Sequence, residues 1–244
     1  LQPLERVFDD PKTAAVQPKI RSHRDPHLFE YAGAAGGYLD VFGYPFCRGR
    51  VFDTVEEDNG QYDDSPPLFW ASGAAFAVRK DLFLELGGFD EAFEFHMEEI
   101  DLCWRCLNRG YKVRIAPESR VFHLGGGSLP MNSSRKTFFN FRNSLQMLWK
   151  NASPDWLRRR FFLRLLLDGL AGLYALLKGH PTDTFAILRA HLHFYILWPR
   201  VHRKRKELQA ARTNDSEPGE MAPFSILYRY FVRRSRYWNE LYED

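Results

Sequence analysis

The chain has 244 residues, 45% of them hydrophobic and 16% aromatic, which is enough to bury a real core and too apolar for wholesale disorder. Its formal net charge of +3 gives no footing for a nucleic-acid partner, although the basic residues crowd the C-terminal third. Three cysteines make no disulfide framework and fit a reducing compartment, so the expected location is cytoplasmic.

Leu1 to Phe8 reads as the tail of an amphipathic helix stopped by Asp9-Asp10-Pro11, and Ala14 to Ile20 as a short strand. The opening residues lack the basic-then-apolar order of a signal peptide. Residues 21 to 67 are rich in Gly, Pro, Asp and aromatics, a pattern of loops and short strands, with Tyr31 to Gly37 a turn cluster. Trp70 to Val78 suits a buried strand, and Lys80 to Leu86 a helical turn closed by Gly87-Gly88.

Helical spacing of Ile100, Cys103 and Leu107, with Gly110 as the stop, predicts a helix over Glu98 to Asn108. Cys103 and Cys106 fall on it, and with no second pair nearby they read as packing residues rather than zinc ligands. Tyr111 to Ile115 reads as a strand that meets Pro117, and Val121 to His123 as another that runs into Gly125-Gly126-Gly127-Ser128. A long helix begins near Lys136, with Phe138, Phe141, Leu145 and Leu148 on one face.

Past Pro154 the composition changes. Phe161 to Leu177 and Phe185 to Trp198 are apolar helices interrupted by Arg164, Asp168 or Arg189, short of the about 20 clean apolar residues that span a membrane. Arg200, Arg203, Lys204, Arg205 and Lys206 follow, then a polar stretch from Thr213 to Gly219 that reads as a mobile linker, and an aromatic, basic segment from Phe224 to Tyr242 that reads as a final helix. This organisation divides the chain into 1–150, 151–210 and 211–244. Apolar helices beside a basic run predict peripheral binding to an anionic membrane surface.

The densest chemistry lies in Gly87-Gly88-Phe89-Asp90-Glu91-Ala92-Phe93 and His96-Met97-Glu98-Glu99-Ile100-Asp101. Glu98 and Asp101, three apart, share a helix face, and Glu99 is turned by about 100° from each neighbour. The helix N-terminus favours the ionised carboxylates while their mutual repulsion raises one pKa, which keeps a base available near neutrality. A solvated acidic cap is the plain alternative. His123 ends a strand at a glycine loop, where backbone can approach a diphosphate and a divalent cation. In Leu68-Phe69-Trp70-Ala71-Ser72-Gly73 small residues admit a ligand and Trp70 offers either a ring for a sugar or core packing. Arg135, Lys136 and Arg142 place charge along the start of a helix, which attracts anionic leaving groups, with a solvated basic face the plain alternative for Arg135.

Taken in order, these motifs resemble the Gly-Gly-Phe-Asp-Glu…Glu-Asp-x-Asp-Leu-x-x-Arg signature of inverting family 2 glycosyltransferases of the GT-A fold. Val16-Gln17-Pro18-Lys19-Ile20, Gly43-Tyr44-Pro45 and Arg48-Gly49-Arg50 resemble a rhamnosyltransferase-like subgroup associated with bacterial surface polysaccharides. The resemblance covers about residues 1 to 150 and implies an α/β fold, the C-terminal part of a GT-A domain with an appended helical region. It implies transfer of a sugar, with inversion, from a nucleotide-sugar donor to a hydroxyl of a glycan or lipid-linked acceptor at the inner face of the cell membrane. Glu99 takes the general-base position, where the family commonly has Asp, with Glu98 and Asp101 holding the helix start and the acceptor and Arg105 pairing with the cluster. His123 becomes a ligand for Mg²⁺ or Mn²⁺; Gly125, Gly126, Gly127 and Arg142 face the diphosphate; Trp70, Ser72, Gly73 and Asp90 face the substrate. The family's Asp-X-Asp occurs nowhere in the chain, so the nucleotide-binding part is expected to lie outside it and the chain alone to be inactive. A non-catalytic carbohydrate-binding or scaffold remnant has the same sequence features.

Overall fold

Eight of the ten residues of strand β1 (Thr13–Ser22) are buried, which suits a strand that is paired on both sides. In the computed structural model, which describes residues 1–125 and 133–243, two four-stranded sheets are formed among the described residues. Helix α1 (Gln2–Val7) precedes β1; β2 (Gly37–Leu39), β3 (Pro45–Cys47), β4 (Arg50–Val51) and β5 (Thr54–Val55) form an antiparallel meander. The larger sheet runs β6 (Pro67–Leu68), β8 (Lys112–His123), β1, β7 (Ala77–Val78), with only the β1–β8 pair parallel. Helix α2 (Lys80–Glu85) and the greater part of α3 (Glu98–Asn108) contribute Leu82 and Cys106, which pack with Ala14.

The chain divides into two compact units. The first comprises Leu1–Gly88, Leu102–Gly125 and Pro218–Asp244; the second comprises Phe89–Asp101 and Gly126–Glu217. These boundaries do not follow 1–150, 151–210 and 211–244. In the first unit the segment from Pro218 joins the small sheet: Ile226 N–H donates to Asp40 Oδ2 at 2.9 Å, and the Trp238 ring packs on Tyr38 and Phe46 at 4.9 and 5.7 Å. It folds there as a π-turn over Tyr228–Val232 and a 3-10 turn over Asn239–Leu241 rather than as the single expected helix.

Helices α4 (Ser134–Asn151), α5 (Pro154–Trp156), α6 (Phe162–Leu177) and α7 (Pro181–Ala210) belong to the second unit, with a π-turn at Leu157–Phe161 between α5 and α6. Ser133 caps α4 by accepting from Lys136 N–H. Its core gathers Phe138, Phe139, Ala186 and Ala190. The expected linker is held here: the Arg212 guanidinium donates to Asn151 O at 2.7 Å, and Ser153 N–H donates to Glu217 Oε1 at 2.6 Å.

Two other local readings change. The strands expected on either side of Pro117 are one, because β1 pairs with both: Pro18 lies opposite Ala116 and Lys19 opposite Arg120, so a bulge absorbs the proline. Trp70 to Val78 yields strand only at Ala77–Val78. Helix α6 has its polarity reversed. On α6, Arg164, Asp168 and Gly172 are buried while Phe162, Leu166, Leu170, Leu173 and Leu177 are exposed on one face at helical spacing. Arg164 Nε donates to Asp168 Oδ1 at 2.9 Å and its Nη2 to Ser144 Oγ at 2.9 Å. No helix among the described residues is long and apolar enough to cross a membrane.

Candidate active site

The acidic start of α3 stands on an unusual piece of chain in the second unit. His96 and Met97 both take left-handed backbone, φ 65° and 74°, a conformation that costs about 1–3 kcal/mol at each non-glycine residue and persists only where neighbours enforce it. Asn143 on α4 supplies the enforcement, its fully buried amide donating to Phe95 O at 2.6 Å and His96 O at 3.0 Å. Beside it Arg142 donates to Asn143 Oδ1 at 2.9 Å and Ala92 O at 3.1 Å. The Arg-Asn pair therefore clamps the segment that delivers Glu98 and Glu99.

The three carboxylates have different surroundings. Asp101 is fully buried and accepts from Asn151 Nδ2 at 2.7 Å, with Lys150 Nζ 3.0 Å away; so enclosed, it ties the first turn of α3 to α4 and does not face an acceptor. Glu98 and Glu99 are half-buried. Among the described residues Glu98 Oε2 has no hydrogen-bond partner, and burial pushes its pKa up against the lowering effect of its own backbone N–H. Arg105 directs two donors to Leu86 O and Gly88 O, both at 2.8 Å.

Asp90 is not available to a substrate. Lys150 Nζ lies 2.6 Å from its Oδ2 and Lys204 donates to its Oδ1, with only 6% of the side chain exposed. Lys150 thus sits between Asp90 and Asp101. Sequence reasoning missed it, although Asn143, Gln146 and Lys150 recur at helical spacing among apolar residues and all three are buried.

In the first unit, His123 ends β8 with its Nδ1 3.1 Å from Glu30 Oε2. Among the described residues Nδ1 has no hydrogen-bond partner. An imidazole nitrogen beside a carboxylate oxygen suits a divalent cation chemically, but no group of three or more His, Cys, Asp or Glu converges among the described residues, so the pair fits only part of a coordination shell. A Cβ at Gly125 would meet Glu30 Oε1 at 2.3 Å, so a side chain there would shift the end of the Glu30 carboxylate. Gly126 and Gly127 lie outside the described residues.

The Trp70 ring is 6% exposed, its Nε1 donates to Tyr38 O at 2.9 Å, and a Cβ at Gly37 would meet it at 2.1 Å. It is packed on both counts and offers no face to a sugar. Ser72 is likewise structural, its N–H donating to Gln17 Oε1 at 2.8 Å and its hydroxyl to Ala32 O at 2.6 Å, whereas Gly73 stays exposed. Cys103 and Cys106 are buried and reduced, and burial pushes the Cys106 thiol up to about 12.

No family model matches the chain. It is 31% identical over 120 residues to the N-acetylglucosaminyl-diphospho-decaprenol L-rhamnosyltransferase of Mycobacterium tuberculosis (strain ATCC 25618 / H37Rv), a stretch that takes in 46% of this chain and 38% of that one. The dTDP-rhamnosyl transferase RfbF of Shigella flexneri is 26% identical over 122 residues, 46% of this chain and 40% of its own. Over these stretches the chain is similar to rhamnosyltransferases. It spans about two fifths of the length of these two relatives. Among solved structures, GalNAc-T7 with UDP, GalNAc and Mn²⁺ aligns with a TM-score of 0.41 at 16% identity, over 63% of this chain and 29% of that one. The glycosyltransferase kinship meets the expectation drawn from the motifs, and the mixed α/β architecture with a helical C-terminal region meets the expected class.

Proposed function

We propose that this chain is the acceptor-side half of an inverting GT-A glycosyltransferase that moves a sugar from a nucleotide-sugar donor to a hydroxyl of a surface polysaccharide or lipid-linked glycan. The observation that carries the proposal is the clamped start of α3: a strained backbone, held by Asn143, presents two half-buried glutamates where the motif has its general base. Strain is retained where geometry matters for chemistry.

Glu99 is the general base in this reading, removing the proton from the acceptor hydroxyl as the oxygen attacks the sugar carbon and the diphosphate departs from the opposite face. Glu98 is the second candidate for the same step, because burial raises its pKa above the ordinary glutamate value. When bound, Mg²⁺ or Mn²⁺ supplies neutralisation of the diphosphate charge, and His123 with Glu30 offers one nitrogen and one oxygen toward it. Arg142 and Gly73 remain candidates for diphosphate and acceptor contacts.

The same protein works at the inner face of the membrane. The exposed leucine face of α6 has buried charge beneath it, which is the reverse of a soluble hairpin and fits an apolar surface outside the protein. Arg158, Arg159 and Arg160 directly before α6, and the basic run of α7, fit an anionic one.

In the complete protein, Glu99→Gln is expected to abolish most transfer while leaving donor binding intact, since the amide keeps its size but accepts no proton. Glu98→Gln tests the alternative side by side. A Glu99→Gln enzyme at the wild-type rate, beside an inactive Glu98→Gln enzyme, would transfer the role to Glu98; full activity of both would sink the glycosyltransferase reading of this helix.

A further inference from the structure

The second unit contains an open cleft of about 660 Å³ bordered by α4 and α7, with Glu94 at its edge. Three guanidiniums line it, those of Arg135, Arg142 and Arg189, against one carboxylate. That carboxylate is accounted for: Glu94 lies 3.7 Å from Arg142. Arg135 and Arg189 have no carboxylate partner among the described residues and instead lie over aromatic rings, Arg135 5.6 Å from the Phe139 centroid and Arg189 4.8 Å from Phe138. A guanidinium held over a ring keeps its N–H donors for other acceptors, and guanidinium donors suit phosphate oxygens.

The surroundings of the cleft discriminate between phosphate sources. Phe185, Leu188, Leu192 and Ile196 on α7 are between 57% and 72% exposed, and their spacing of three, four and four residues puts them on one face of the helix. Arg189 lies four residues after Phe185 and three before Leu192, so the cationic edge of the cleft adjoins an apolar track. Besides the arginines the lining carries the polar Ser134, Thr182 and His193, but the track that leads away from it is hydrocarbon, which is what a phosphorylated lipid needs beside a cation.

We propose that this cleft binds the phosphate or diphosphate head of a polyprenyl-type lipid, with the chain lying along the exposed face of α7. The inference rests on the acceptor reading above and gives it a place on the molecule: the lipid end of a lipid-linked acceptor.

The test uses the full chain and three probes: phosphatidylcholine vesicles carrying geranylgeranyl diphosphate, phosphatidylcholine vesicles brought to the same charge with phosphatidylglycerol, and inorganic diphosphate in solution. Two charge-assisted contacts predict sedimentation at least about tenfold stronger with the first vesicles than with the second. The Arg135→Gln/Arg189→Gln variant is expected to lose that excess while keeping its melting temperature and its residual binding to phosphatidylglycerol. Equal sedimentation of the wild type with both vesicles, or an excess undiminished in the variant, would overturn the proposal. So would inorganic diphosphate that abolishes the excess at concentrations no higher than the lipid's, because the site would then read a free diphosphate. The two readings fail separately: an excess with no sugar transfer in the complete protein removes the glycosyltransferase reading and leaves the site, whereas transfer without an excess does the reverse.

Discussion

Asp90 and Glu98 are carboxylates of one unit with opposite electrostatic situations. Burial pushes Asp90 up, but the charge and hydrogen bond of Lys150 and the hydrogen bond of Lys204 outweigh it and hold the carboxyl well below the usual range. Its contribution to stability is therefore present above the ordinary aspartate pKa of about 4 and is lost as pH falls below it. Asp90→Asn leaves two ammonium groups facing an amide, so urea unfolding at pH 7 is expected to show a loss of about 3 kcal/mol that narrows as the pH falls below about 4. Glu98 works the other way: its raised pKa means that ionisation above the ordinary glutamate value costs stability. Glu98→Gln is thus expected to leave the unfolding free energy at pH 7 unchanged or higher, and a loss like that of Asp90→Asn would mean a partner holds the ionised form. The motif made the acidic run legible in the sequence. What could not be read there is that Asp90 and Asp101 share Lys150, because that contact joins residues 49 or more positions apart and is set by how α4 packs.

Helix α3 was legible to the residue, since apolar spacing, a first turn of acids and Gly110 all agree. Strand β8 was not, because its continuity through Pro117 depends on β1, which is remote in sequence. On α6 the spacing of apolar residues revealed a helix but not which face is covered: leucines at 166, 170, 173 and 177 would ordinarily be assigned to a core, and they are exposed. That inversion has two measurable sides. Arg164→Ala removes the guanidinium that pairs with the buried Asp168, leaving the carboxylate with His191 Nε2 at 3.3 Å, and is expected to lower stability by about 3 kcal/mol in chemical denaturation. Leu166→Ser with Leu170→Ser alters only exposed positions, so at protein concentrations low enough for a monomer stability is expected to stay within about 0.5 kcal/mol of wild type per substitution while sedimentation with anionic vesicles falls. Unchanged sedimentation would exclude this face from membrane binding.

Across the whole chain, contiguity in sequence is a poor guide to contiguity in the fold, since Pro218–Asp244 returns to the unit that contains Leu1–Gly88. Asp40 organises that return: its Oδ1 accepts from Phe42 and Tyr44 N–H at 2.9 and 2.8 Å, and its Oδ2 from Ile226 N–H. Asp40→Ala removes the carboxylate that accepts from three backbone N–H groups, which is expected to cost about 3 kcal/mol and to speed hydrogen exchange in residues 222 to 230 more than in β1. Exchange that rises equally in both would mean that the segment and the sheet open together.

The exposed leucine face of α6 has a further consequence when no lipid is present. In water the nearest apolar surface able to cover it is the same face of another copy, and a pairing of identical faces obeys mass action. Sedimentation velocity of the purified chain is expected to show a weight-average mass that climbs with protein concentration, and a melting temperature that climbs with it. Serine at 166 and 170 should flatten both curves, so that the residues read here as a lipid contact also set the concentration at which the protein stops being a monomer.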